Sequence, residues 1–191
     1  MNQALGKPTP DDEKILELFQ TEASKERALR MLMEKYQRDV YYSVRRYLYS
    51  HDDANDVVQN VFVKVWRFIG NFRGDSTLKT WITRIAINES LSFIERKKKT
   101  FNLSDATYTD HLLNVAAEEK FFSSDKIEQM LQEAIIRLPD KQRMVFTLRY
   151  YDEMPYEEMS KVLDTSVGAL KSSYHFAMKK VEESLKKQMN S

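Results

Sequence analysis

Apolar side chains recur every three or four positions through most of this 191-residue chain, and little interrupts them. From Lys25 to Leu48 alone, Leu29, Leu32, Met33, Tyr36, Val40, Val44, Tyr47 and Leu48 keep that spacing. At 3.6 residues per turn these positions form a stripe that must be buried against another helix. A half-buried strand needs alternation by two, and no stretch shows it. Only four glycines and four prolines stand ready to break helices, so the expected fold class is all-α. There is no cysteine for a disulfide framework or a thiolate zinc site. No apolar run approaches the roughly 20 residues of a membrane span, and no basic start followed by an apolar run opens the sequence. A soluble, cytoplasmic protein is expected.

The interruptions divide the chain into two small helical domains joined by a linker. Residues 1–24 read as an N-terminal arm, loosened by Gly6, Pro8 and Pro10, and a short helix beginning near Asp11 or Asp12. Residues 25–99 read as the first domain. Its long helix runs from Lys25 to Leu48, His51 to Ala54 supply a turn and cap, and a second helix covers Asn55 to Ile69. Gly70 and Gly74 bracket a loop, after which Ser76 or Thr77 caps a third helix. Residues 100–125 are rich in Ser, Thr, Asp and Asn between weak apolar clusters, which predicts an acidic linker with at most a short helical piece. Residues 126–191 form the second domain, with helices over Lys126–Arg137, Pro139–Tyr150, Tyr156–Leu163 and Val167–Lys187. Pro139 and Pro155 suit the first turns of the helices they open.

Net charge is only +1, but it is distributed unevenly. Residues 77–99 place Lys79, Arg84, Arg96, Lys97, Lys98 and Lys99 against Glu89 and Glu95. Residues 165–187 place Lys171, Lys179, Lys180, Lys186 and Lys187 against Glu182 and Glu183. The linker between them carries five carboxylates and Lys120. Two basic patches flanking an acidic segment suggest anionic partners at two places rather than a uniformly basic coat.

Each patch has a distinctive setting. In PYEEMSKVLDTSVGALKSSYHFAMKKVEESL a short helix, a tight turn at Asp164 and a longer helix capped by Ser166 form a helix-turn-helix. Leu170, Tyr174, Ala177 and Val181 supply its packing stripe, leaving Lys171, Ser172, His175 and Phe176 on the opposite face. Such a helix has the size and polarity to enter a major groove. In TLKTWITRIAINESLSFIERKKK, Leu78, Ile82, Ile85, Leu91 and Ile94 account for burial, but Thr80, Trp81, Thr83, Arg84 and Asn88 do not fit that role. Trp81 serves equally well as core or as a flat platform for an unstacked base.

The chain resembles the bacterial sigma factors of RNA polymerase, of the small two-domain extracytoplasmic-function type. The resemblance lies in DANDVVQNVFVKVW, NFRGDST and LKTWITRIAINESLSFIERKK in the first domain, and in RLPDKQRMVFTLRYYDEMPYEEMSKVL and SVGALKSSYHFAMKKV in the second. It implies a transcription initiation factor that directs core polymerase to promoters, reads their −10 and −35 elements and assists melting, with no enzymatic activity and no cofactor. The first domain would correspond to sigma region 2 and the second to region 4. Core polymerase docking is then expected at Asp56, Gln59, Asn60, Phe62 and Lys64. Contact with −10 DNA is expected at Phe72, Arg73, Ser76, Thr77, Lys79, Thr80, Trp81, Arg84, Asn88, Arg96 and Lys97. At the −35 element the readers would be Lys171, Ser172, His175 and Phe176, with Tyr156, Ser166, Ser173, Lys179 and Lys180 on the backbone. An anti-sigma protein is a further implied partner. Asp164 stands where the family often has Gly, Ser160 where it often has Ala, and Ser92 where it often has Asp.

Two other readings compete. A helix-turn-helix regulator with an N-terminal sensing domain would explain residues 125–187 but give Asn55 to Lys99 no purpose. A metal nuclease would need Asp52, Asp53 and Asp56 as ligands, yet acidic residues at a helix start ordinarily serve as caps and dipole partners. His51, His111 and His175 fall in different predicted segments, and no nucleophile triad or phosphate-cradling glycine loop accompanies them.

Overall fold

The computed structural model describes residues 9–119 and 125–190. The arm expected through Gly6 and Pro8, and Lys120 of the expected linker, lie outside the described residues. Among those described, the regular elements are helices: α1 (Pro10–Phe19), α2 (Lys25–Leu48), α3 (His51–Phe68), α4 (Leu78–Thr100), α5 (Asp105–Glu118), α6 (Lys126–Ile136), α7 (Asp140–Tyr150), α8 (Tyr156–Leu163) and α9 (Val167–Met189). They fall into two compact units. One holds the described residues up to Arg45 together with His51–Phe93, and the other holds Arg46–Ser50 with the described residues from Ile94 onward.

In the first unit the buried side chains include Ala28, Leu32, Tyr36, Val40 and Val44 along the stripe of α2, Val57, Val61 and Val65 of α3, and Leu78, Ile82 and Ile87 of α4. Helix α2 has the bounds its periodicity predicts, whereas α3 begins four residues early, at His51. The turn is made by Tyr49, in the left-handed region at φ 61, and Asp52 and Asp53 occupy the first helical turn, where negative charge favours the helix dipole. Helix α1 opens with a capping box in which Thr9 and Asp12 satisfy each other's backbone amides. Asp12 is only 1% exposed, yet it accepts hydrogen bonds from the Tyr36 hydroxyl at 2.7 Å and from Lys35 at 2.8 Å. Burial opposes its charge, but the bonds from Lys35, Tyr36 and Thr9 outweigh burial and hold the carboxyl below its ordinary value. Burial and the same bond push the Tyr36 hydroxyl up. A buried charge satisfied in this way fastens α1 to α2.

The second unit is built around Ala134, Ile135, Leu138, Phe146, Ala177 and Val181, with Leu131, Tyr151, Tyr174 and Leu185 packed against them. Arg143, 3% exposed, gives this core a polar fastening. It donates to the Ile136 carbonyl at 2.9 Å, the Leu138 carbonyl at 3.4 Å and Asp140 at 2.6 Å, closing the open end of α6 against the start of α7. Residues read as linker contain the 14-residue α5, capped by Ser104. Tyr108, Leu112 and Ala116 are buried along it, a stripe too short to stand out among Ser, Thr and Asn. Pro139 and Pro155 sit one residue outside their helices, as N-caps.

Candidate nucleic-acid interface

In the first unit, Val57, Val61 and Val65 are drawn inward on α3, which leaves Asp56, Gln59 and Asn60 exposed on the other side. Phe62, expected on this docking face, is 4% exposed and belongs to the core. Its position in the heptad places it beside the valine stripe, so a partner would meet what it supports rather than the ring itself. Lys64 is ion-paired to Glu89 of α4, whose side chain is 9% exposed, so its charge fastens two helices together. The sequence reading missed Val63. It is 48% exposed, three and four residues beyond Asn60 and Gln59, and the same helical count that found its neighbours would have found it.

The segment between α3 and α4 is shaped by Gly74, at φ 75, a left-handed backbone that glycine adopts without penalty. It brings Phe72 edge-on to Trp81, with ring centroids 5.7 Å apart and planes at 65°. Both rings are half-buried, neither fully in the core nor fully offered to solvent. Thr77 caps α4: its hydroxyl accepts from the Thr80 amide at 3.1 Å and shares a hydrogen bond with the Thr80 hydroxyl at 2.9 Å. Ser76 is 7% exposed and donates to the Thr77 carbonyl, so the structure withdraws it from the contact surface. Lys79 is exposed but paired with Asp39 at 2.7 Å. Arg73 and Asn88 are exposed and Arg84 is half-buried. Thr77, Thr80, Trp81, Arg84 and Asn88 therefore share one stripe of α4, with Phe72 at its head. At the far end of α4, Arg96 is exposed and Lys97 half-buried, while Lys98 is ion-paired with Asp140. Cations in that last turn also face the negative end of the helix dipole.

In the second unit, Met159 anchors α8 with no exposed surface. The chain then reverses at Asp164, left-handed at φ 47 and ψ 47, a conformation Asp tolerates better than most non-glycine residues. Ser166 caps α9 by accepting from the Ala169 amide at 3.3 Å. Leu170, Ala177 and Val181 are buried, which turns Lys171, Ser172, His175 and Phe176 outward. Phe176 is 55% exposed, with the His175 ring 5.9 Å away. Lys179 and Lys180 follow, exposed, on the later turns, and Ser173 is half-buried. Tyr156, at the start of α8, lies under two cations: the Lys171 ammonium is 5.7 Å from its ring centroid and the Arg149 guanidinium 5.3 Å. Arg149 was not singled out from sequence, because a cation at the end of α7 reads as a dipole partner.

Among the described residues no group of three His, Asp or Glu is placed to hold a metal ion, and no helix is long and apolar enough to cross a membrane. Asp52 and Asp53 serve as first-turn residues of α3.

Comparison with known proteins finds two family models on the chain. The family model described as Sigma-70 region 2 matches residues 32–100, and that described as Sigma-70, region 4 matches residues 128–181. The RNA polymerase sigma-H factor of Pseudomonas aeruginosa is 31% identical over 182 residues, covering 91% of this chain and 93% of the relative. The ECF RNA polymerase sigma-E factor of Escherichia coli K12 is 32% identical over 155 residues, covering 77% and 81%. In fold, the chain is similar to CnrH solved in complex with the cytosolic domain of CnrY, with a TM-score of 0.62 and 22% identity over 92% of this chain and 97% of that one. It is also similar to the sigma factor RpoE from Bartonella quintana solved in complex with the anti-sigma factor NepR, with a TM-score of 0.63 and 21% identity over 82% and 96%.

Proposed function

The chain belongs to the extracytoplasmic-function sigma factors of the sigma-70 family, and from that premise we propose how its two units divide promoter recognition between them. Members of this family are non-catalytic factors that bind core RNA polymerase and start transcription at chosen promoters. The first unit docks on core polymerase through the outer face of α3, where Asp56, Gln59 and Asn60 form a polar surface beside the exposed Val63. Its Phe72–Trp81 pair and the α4 stripe through Thr80, Arg84 and Asn88 meet the −10 element as it opens. An unstacked base offers a π face, which a half-buried aromatic pair is suited to receive. Arg73 and Lys79 contribute attraction to phosphates, as do Arg96 and Lys97 on the last turns of α4, which belong to the second unit.

The second unit lays α9 in the major groove of the −35 element. Lys171, Ser172, His175 and Phe176 face base edges, and Lys179 and Lys180 face the backbone. The observation that carries this assignment is the sorting of α9 into a buried row and an outward row directly after a left-handed turn and a serine cap. The protein acts in the cytoplasm, where core polymerase works. By likeness to the relatives solved with NepR and CnrY, it is held in check by an inhibitory protein partner.

Run-off transcription from genomic fragments, using purified core polymerase with and without the protein, tests the reading. Discrete transcripts that require the protein are expected. Strong promoter binding that is indifferent to core polymerase would favour the simple regulator instead.

A further inference from the structure

The two cations over Tyr156, one from α7 and one from α9, differ from two other lysines of α9. Lys179 and Lys186 are within reach of Glu183 and Glu182. Among the described residues, neither Lys171 nor Arg149 is paired with a carboxylate; the Arg149 guanidinium instead donates to the backbone carbonyls of Met154 at 3.2 Å and Glu153 at 3.5 Å. Two like charges drawn to one ring repel each other unless the ring's negative face offsets the repulsion. Tyr156 is itself held firmly. Its backbone opens α8 behind Pro155, and its ring meets Tyr174 of α9 at 6.4 Å and 73°. Tyr174 in turn stacks on Phe146 of the buried core at 5.8 Å.

We infer that Tyr156 is a positioning residue for upstream-element recognition, its ring holding the Lys171 ammonium at a set place on the outward face of α9. Lysine needs such help. Its four-carbon stem carries a point charge with no preferred fork geometry, and immobilising a flexible side chain on binding has a free-energy cost that prior ordering lowers. Arg149, anchored to the turn between α7 and α8, steadies the same ring from the other element. The inference rests on the reading of α9 as the −35 reader, and it gives Tyr156 a different role from the backbone contact expected by resemblance. The ring, rather than the hydroxyl, carries the effect.

The experiment is transcription by full-length protein and core polymerase on promoters randomised in the upstream element, for Tyr156→Leu, Tyr156→Phe, Lys171→Ala and the Tyr156→Leu/Lys171→Ala double variant. Lys171→Ala should change base preference at one position. At that position Tyr156→Leu should reduce discrimination about two- to fivefold, the size of a solvent-accessible cation–π contact, and Tyr156→Phe should retain it. With Lys171 already replaced, Tyr156→Leu should reduce discrimination no further. Equal loss on every sequence, additive effects, or failure of Tyr156→Phe to match wild type would overturn the inference while leaving the α9 reading intact. No change of preference in Lys171→Ala would overturn both. A readout free of any folding defect comes from wild-type protein by NMR: ring current should move the Lys171 side-chain methylene protons upfield of those of other lysines, and unshifted resonances would also overturn the inference.

Discussion

The two candidate DNA surfaces differ in how their polar groups are occupied. On the first unit, Lys79 is paired with Asp39, Thr77 with Thr80, and Ser76 donates to the Thr77 carbonyl. On the second, Lys171, Ser172, His175 and Phe176 stand outward on a helix fastened from beneath. On the proposed division of labour, the second surface would dock as it is, as befits a reader of intact duplex, whose base edges are already displayed in the groove. On the same proposal the first would have to exchange internal partners for nucleic acid, which suits a surface that meets DNA while the DNA itself changes. The contrast suggests that rigidity matters most in the second unit and partner exchange in the first.

The largest expected effect breaks the fastening of the second unit. Arg143→Ala removes the buried donor to the Ile136 and Leu138 carbonyls while Asp140 keeps Lys98, and should destabilise this unit by about 3 kcal/mol. Urea unfolding followed at residue level should show the second unit melting early while the first holds. A shared early melt would mean that the two units do not fold independently.

The corresponding fastening in the first unit is Asp12. Replacing it by Ala removes the acceptor for Tyr36 and Lys35, with an expected loss of about 1–3 kcal/mol confined to the first unit. The same group sets an acid dependence. Because its folded pKa is depressed, its contribution is complete above the ordinary carboxyl value of 3.8 and is lost as pH falls through the lower folded value. Stability measured as a function of pH should show a component in that acid window that is missing from Asp12→Ala. An unchanged acid profile would remove Asp12 from the account.

Asp39→Ala sharpens the contrast directly, because it frees Lys79 from a pair exposed on both sides and hence of little intrinsic worth. Promoter binding should strengthen modestly, and the slope of its salt dependence should steepen by about one, the signature of one added phosphate contact. An unaltered slope would show that Lys79 does not reach phosphate. The smallest effect belongs to Asp164→Gly, which relieves a left-handed residue at the turn but loosens the unfolded chain. A gain below about 1 kcal/mol in thermal unfolding is expected, with unchanged base preference. Altered preference would mean that the aspartate has a role in recognition.

What was legible in the sequence follows the strength of its periodicity. Helix α2 and the outward row of α9 could be read because long apolar stripes fix every other face by exclusion. Phe62 was expected at the docking face by resemblance, which carries a position over without its burial, and it packs inward beside the valine stripe, whereas Val63, outside the residues so carried, is exposed. The start of α3 was hidden because Asp52 and Asp53 suit a cap and a first turn equally, and the left-handed Tyr49 has no sequence signature. Arg149 and Asp12 were illegible for another reason. Their partners, Tyr156 for one and Tyr36 with Lys35 for the other, lie on neighbouring elements, and no local pattern announces a contact made only after the helices pack.

The division of labour is tested most directly by run-off transcription from one promoter in two forms, fully paired and with the −10 region held open by mismatches. Trp81→Ala is compared with the Lys171→Ala/His175→Ala double variant on both. Loss of a stacking platform worth about 1–3 kcal/mol per base should lower Trp81→Ala activity on the paired template by roughly one to two orders of magnitude, and the open template should restore it. The double variant should remain impaired on both, because opening the −10 region does nothing for the upstream contact. Failure of the open template to rescue Trp81→Ala, or equal rescue of both variants, would contradict the assignment of melting to the first unit and duplex reading to the second.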